Sequence, residues 1–436
     1  FYIVQSNNNS IRAKTIFSPR GIIVDRNQMV IVDNQPIYSL SIVPAEVNSS
    51  FNYSYFHKIT GIDSIYLISK IQKLRKSSIN RFRPFQLKSH LKFNEKSIIQ
   101  ESKLEFPGIV FNNLPARYYP NDINLSHVVG YLREIDAESN NFLQSGYDYG
   151  DIIGFTGLEK IYESTLKGKN GLEYHLVDIY GVNHGLFQDI EPIEPESGNL
   201  LQITIDMKIQ NFIEKELSNK VGTIIVMKPG SGEILGLASS PDYNLKSFIG
   251  PVSLEQWSHW NSDNSNPLVN RAIQGLYPPG SIYKIILAMM AIENDKIDES
   301  LIVTCNGDYT LGNRTFHCWH EPGHGKINLR QAIINSCNVY FYKLVQEIKL
   351  DELYDSSLLF GFNKTTNIDL LSEKKGLIPS KKYMNQKYGR FDWTMGHLLN
   401  FSIGQGEISV TPIQVINLIN IIANRGYKMQ PHLKMN

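Results

Sequence analysis

Along residues 1 to about 48 polar and apolar positions alternate. Gly21–Asn27, Val30–Val32 and Tyr38–Ile42 carry the period-two pattern of half-buried strands, with a turn at Asp25–Gln28. From 49 to 147 the character changes. Basic segments at Lys70–Lys76 and Arg81–Lys92 read as solvated helix faces, and Arg117-Tyr118-Tyr119-Pro120 follows them. Gly157 to Gly181 reads as a helix ending in a Gly-rich turn, then a strand. Glu191–Gly198 is acidic and Pro-bearing, the clearest domain boundary in the chain. Beyond it the pattern predicts a strand at Leu201–Ile205, a helix opened by Asp206 and running through Leu217, and a hairpin around Lys228–Ser231. A long helical pattern spans Ile327–Val345. Strand, helix and hairpin in this order describe an α+β domain with helices packed on an antiparallel sheet.

One stretch organises the second half. Pro278 and Pro279 forbid helix up to Gly280, and the apolar run Ile285, Ile286, Leu287, Met289, Met290 and Ile292 follows. This predicts a rigid turn feeding a buried helix. Ser281 falls in the first turn, where unpaired N–H groups favour developing negative charge. Lys284 lies three residues on, on the same face, and a desolvated neutral lysine can act as base for a hydroxyl nucleophile. The alternative is an ordinary helix start with a surface lysine. A second polar constellation, Ser336-Cys337-Asn338, is expected inside the 327–345 helix, where serine and asparagine can relay a proton and hold a substrate amide. Its alternative is a helix connection rich in small polar groups.

Composition narrows the class. The 436 residues exceed one ordinary core and suggest two or three domains. Hydrophobic content of 42% with 19% charged residues fits a folded protein, and a net charge of +1 gives no argument for nucleic acid. No apolar run is long enough to cross a membrane. The chain starts at Phe1 and stops at Asn436 in mid-pattern, so it reads as cut at both ends. Cys305, Cys318 and Cys337 are an odd, clustered set, which argues for a shared site over a disulfide framework.

Ser281-x-x-Lys284 followed by Ser336-x-Asn338 resembles the first two motifs of the penicillin-binding proteins. The likeness extends to Pro19–Asn27, Gly157-Leu158-Glu159, Leu201–Asp206, Asn270-Arg271-Ala272 and Ser402–Gly406 with Thr411-Pro412. These look like a class B penicillin-binding protein, of the elongation-specific transpeptidase type, from about Pro19 to Pro431. The resemblance implies a mostly-β, non-catalytic pedestal over 1–196 with a head inserted at about 49–147, then a transpeptidase domain over 197–436. It implies that Ser281 attacks the carbonyl between the terminal D-alanines of a peptidoglycan stem peptide and that Lys284 takes its proton. Ser336 then relays the proton to the leaving amine, and Asn338 binds the substrate amide. β-Lactams would trap Ser281. A membrane glycosyltransferase of the elongation complex and its scaffold proteins are the implied partners. The implied location is the periplasmic face of the bacterial inner membrane, with an anchor helix upstream of residue 1.

The third family motif, Lys-Thr/Ser-Gly, does not follow Gly404–Pro412, and Lys364-Thr365-Thr366 is no substitute, so the transpeptidase domain is expected to be incomplete. A serine β-lactamase and a silent module that binds a glycosyltransferase are the competing readings. Cys305, Cys318, His324 and Cys337 form a Cys₃His set of the composition found at closed zinc sites, though not with zinc-finger spacing. Some elongation transpeptidases of the family carry zinc at matching positions. His317 and His320 are competing ligands, and three buried thiols without metal is the alternative.

Overall fold

A computed structural model describes residues 11–435 apart from 78–79, 83, 122, 136–146, 148–150, 178–182, 251, 299 and 391. The end of the expected head, at 136–146, and Gly181 therefore lie outside the described residues. The chain divides into two units, one of residues up to 126, 130–203 and 244–259, the other of 127–129, 204–243 and 260 onward.

The first unit holds strands β1 (Ile11–Ile16), β2 (Ile23–Val24), β3 (Val30–Ile42), β4 (Phe85–Leu91), β5 (Ile109–Tyr118), β6 (Leu132–Glu134), β7 (Ile152–Gly154), β8 (Gly171–Val177), β9 (Asn183–Leu186) and β10 (Leu201–Gln202). The 13-residue β3 is its spine, pairing antiparallel with β5 from Asp33 to Ile42 and with β2 and β4. β10 adds parallel to β2, and β1–β8–β9 form a separate antiparallel sheet. Helices α1 (Tyr53–Thr60), α2 (Ser64–Arg75) and α3 (Phe93–Glu101) are inserted between β3 and β5, α1 and α2 capped by the side chains of Asn52 and Asp63. Phe51, Phe56, Leu67, Ile71, Ile99 and Phe106 pack them onto Leu40 and Ile42. The turn at Asp25–Gln28 forms as expected, with the Asp25 carboxylate accepting from the Asn27 and Met29 N–H groups. Glu159 is fully buried and receives Arg117 at 2.7 Å and Arg20 at 2.8 Å. Removing one partner from such a buried pair costs about 3–5 kcal/mol.

In the second unit Asp206 caps α4 (Met207–Leu217) through the N–H groups of Lys208 and Ile209. The hairpin β11 (Gly222–Met227) and β12 (Ile234–Ser240) follows, as expected. The strand expected over Leu201–Ile205 is shorter, ending at Gln202. Thr204 gives its N–H to Leu433 O and its hydroxyl to Ile234 O and His432 O, which draws the backbone off the ladder. Helix α5 (Tyr283–Glu293) runs through the main core, with Tyr283, Ile286, Leu287 and Ala291 buried. Four short strands, β13 (Val303–Cys305), β14 (Asp308–Leu311), β15 (Arg314–His317) and β16 (Gly325–Ile327), make two small hairpin-like pairs, β13–β16 and β14–β15. Helices α6 (Leu329–Ile334), α7 (Asn338–Leu344), α8 (Lys381–Tyr388), α9 (Met395–Ser402) and α10 (Pro412–Ala423) supply further elements.

The continuous helix expected over Ile327–Val345 is broken. α6 ends at Ile334 and α7 starts at Asn338, so Ser336 and Cys337 lie between helices. Ser336 adopts φ +50°, the left-handed region that costs a non-glycine residue about 1 kcal/mol or more. Cys337 is extended and stands at the N-cap position of α7, so it does not point around a helix from its neighbours as a continuous helix would require.

Candidate active site

The Pro-Pro-Gly sequence builds the first half of the site. Gly280–Ile282 form a 3₁₀ turn that runs directly into α5, leaving Ser281 exposed and Lys284 buried at 2% exposure. Backbone hydrogen bonds clamp this turn to a distant segment. Tyr277 and Val410 exchange N–H···O bonds of 2.9 Å each, and Gly280 N–H donates to Gly404 O at 3.0 Å. Thr411 and Pro412 start α10, with the Thr411 N–H donating to Gln414 Oε1 at 2.8 Å.

The second half is held from outside. Asn338 gives its backbone N–H to Cys318 Sγ at 3.4 Å and its side-chain amide to His317 O at 3.2 Å. The Trp319 indole N–H donates to Asn335 O at 3.0 Å. Thus the end of β15 and the two residues after it position the Asn335–Asn338 break. His317 and Trp319 were not singled out for this role. A main-chain carbonyl has no sequence signature, and an exposed tryptophan beside a cysteine reads as surface.

The two halves meet at hydrogen-bonding distance. The Ser336 and Ser281 hydroxyls lie 2.7 Å apart. Lys284 Nζ donates to Ser336 O at 2.8 Å, Ser336 Oγ at 3.2 Å and Asn338 Oδ1 at 2.8 Å. All four expected residues therefore converge. Lys284 reaches Ser281 through the Ser336 hydroxyl, whereas direct contact along the helix face was expected. Burial lowers the Lys284 pKa to about 8, against the opposing pull of Cys337 and Cys318.

Behind Asn338, Cys305, Cys318, His324 and Cys337 bring their ligand atoms within 4.8 Å of one another, while His317 and His320 fall outside this set. His324 Nδ1 lies 3.6 Å from both Cys305 Sγ and Cys318 Sγ. A tetrahedral zinc with Zn–S of about 2.3 Å and Zn–N of about 2.0 Å places sulfur and nitrogen about 3.5 Å apart, so the donor set fits. Burial pushes the Cys337 thiol up to about 12. Cys318 is also raised by burial, but backbone N–H groups of His320, Asn338 and Val339 outweigh this and leave it below the ordinary thiol range.

The chain matches two family models, the penicillin-binding protein dimerisation domain over 15–203 and the penicillin binding protein transpeptidase domain over 222–436. It is 31% identical to the peptidoglycan D,D-transpeptidase MrdA of Salmonella typhimurium, covering 100% of this chain and 70% of that protein. It is 30% identical to MrdA of Acinetobacter baumannii, covering 98% of this chain and 63% of that one. Among solved structures, the penicillin-binding protein PBP2 in complex with MreC from Helicobacter pylori is similar at a TM-score of 0.86 and 30% identity, over 98% of this chain and 79% of that one. Pseudomonas aeruginosa PBP2 in complex with WCK 5153 is similar at 0.70 and 26% identity, over 98% and 73%.

Proposed function

Because the chain belongs to the family of MrdA/PBP2 peptidoglycan D,D-transpeptidases, we propose that its Ser281 forms an acyl-enzyme with D-Ala-D-Ala stem peptides and passes the acyl group to a neighbouring strand during wall elongation. The observation that carries this is the Ser281–Ser336–Lys284 hydrogen-bond path. Ser281 Oγ bonds to the penultimate D-Ala carbonyl carbon, and its proton moves to Ser336, whose own proton goes to Lys284. The tetrahedral centre then expels the terminal D-Ala as its amine takes a proton back along the same path. An acceptor amine reverses the steps and forms the cross-link. A lysine held near 8 by burial has a useful neutral fraction for this work. Asn338 orients the stem-peptide amide, and the Ser281 N–H supplies half of an oxyanion hole.

The other half, and a second cation, would come from a strand bearing Lys-Thr/Ser-Gly, a sequence absent from residues 1–436. Among the described residues β11 pairs with β12 alone, leaving an open edge. Beside it lies a cavity of about 460 Å³ lined by Thr223, Ile225, Tyr277, Pro279, Ile282 and Val415, among others. Such a strand would pair there. Cys305, Cys318, His324 and Cys337 would hold a zinc ion whose chemistry is structural: four protein ligands close the site and fix the Cys318–Asn338 contact. No described helix is long and apolar enough to cross a membrane. The similarity to PBP2 solved in complex with MreC supports a partner of that kind; a place at the periplasmic face of the inner membrane and a glycosyltransferase partner are part of the same proposal.

The test is mass spectrometry after reaction with a labelled penicillin. The adduct is expected on Ser281 and absent in Ser281→Ala; an adduct on any other residue sinks the assignment.

A further inference from the structure

Gly404 stands 123 positions after Ser281 in sequence. Gly404 and Gly280 approach backbone to backbone: a Cβ added at Gly404 would stand 2.2 Å from Gly280 O, 2.7 Å from Gly280 N and 2.9 Å from Gly280 C. No rotamer can relieve such a contact, since all three atoms belong to the main chain. Gly404 also sits at φ +66°, and its carbonyl takes the Gly280 N–H. The next anchor is the Tyr277–Val410 pair, so Gly404 and Val410 grip the two ends of the Pro278-Pro279 turn. At the outer end Glu407 is held by Lys387 at 3.0 Å and by the Tyr388 hydroxyl, tying the segment to α8.

We propose that Gly404 is a positioning residue for Ser281: its bare α-carbon seats on the Gly280 peptide and sets the orientation of the Ser281 N–H and hydroxyl. This rests on the reading of Ser281 as nucleophile. A misplacement of about 1 Å near reacting atoms can cost about 10²-fold in rate. Gly406 is the internal control. It has φ +75°, hence a similar backbone cost, but a Cβ there meets the side chain of Phe401 at 3.1 Å and no part of the nucleophile turn.

The experiment compares the whole protein with its Gly404→Ala and Gly406→Ala variants by hydrogen exchange of the 276–283 segment and by acylation with a fluorescent penicillin. In wild type the Gly280 and Tyr277 amides should be protected. Gly404→Ala should speed their exchange at least about tenfold and slow the acylation step at least about tenfold, with non-covalent capture unchanged. Gly406→Ala should leave both within about threefold. Equal effects of the two variants would overturn the proposal, as would unprotected Gly280 and Tyr277 amides in wild type, which needs no variant to fold. Failure of wild type to label at Ser281 would instead overturn the nucleophile reading, while the exchange data still decide whether Gly404 holds the turn.

Discussion

The two motifs that meet at Ser281 and Ser336 are built by opposite means. The first is a backbone device: prolines exclude helix, glycine turns the chain, and main-chain hydrogen bonds from 404 and 410 fix it. The second places a serine in a conformation that suits glycine, and holds it with a thiol, a carbonyl and an indole from residues 317–319. The first turn is shaped by local composition and held by main-chain bonds from 404 and 410. The second borrows its rigidity from the cysteine-bearing segment, so its geometry depends on a neighbour that does no chemistry.

Removing the group on which both halves converge should have the largest effect. Lys284→Ala should slow penicillin acylation by about 10²–10⁴-fold, measured as the second-order labelling rate. A loss under about fivefold would detach the lysine from the proton path. Ser336→Gly separates geometry from chemistry. It relieves the φ +50° backbone and deletes the bridging hydroxyl. Thermal stability should equal or exceed wild type, while labelling falls by about 10²-fold or more; a clear drop in Tm would mean that the left-handed backbone is unstrained.

The pH profile comes next. Burial depresses the Lys284 pKa, so its neutral, proton-accepting fraction grows as pH rises and saturates above about 8. Labelling should increase about tenfold between about pH 7 and about pH 9 and then level off. A falling limb over that range would contradict a neutral-lysine base. The smallest rate effect should come from the cysteine set. Cys305→Ala lies away from the motif itself, and should abolish zinc binding in elemental analysis and lower Tm by roughly 2–10 °C, for a loss of about 1–3 kcal/mol. Labelling should fall several-fold through the second motif alone. Full thermal stability and three titratable thiols in metal-free wild type would remove zinc from the account.

What the chain discloses in its sequence follows the same divide. Pro278-Pro279-Gly280 before an apolar run, Asp206 before Met207–Leu217 and Thr411-Pro412 before Ile413–Ala423 are local statements, and the folded chain obeys them. The break at Ser336 is not local. Apolar residues keep helical spacing on both sides, from Leu329 to Leu344, so the pattern alone predicts one helix. Contacts from Cys318 and Trp319 divide it. Thr204 left its ladder for the same kind of reason, drawn off by carbonyls of residues far along the chain. Gly404 forms a tight turn at φ +66°, but nothing in its sequence surroundings announces Gly280 as the surface it rests on.

The left-handed backbone at Ser336 also has a bearing on selection. Few residues accept φ +50° without cost; glycine, asparagine and aspartate lead the list. Each of these lacks the hydroxyl that joins Ser281 to Lys284. Threonine keeps the hydroxyl, but its branched Cβ is poorly suited to that backbone. A lineage escaping a drug aimed at Ser281 therefore finds almost no viable alleles at 336. Adaptive change has to be sought around the site, where side chains can vary without disturbing the hydrogen bonds that join Ser281, Ser336 and Lys284.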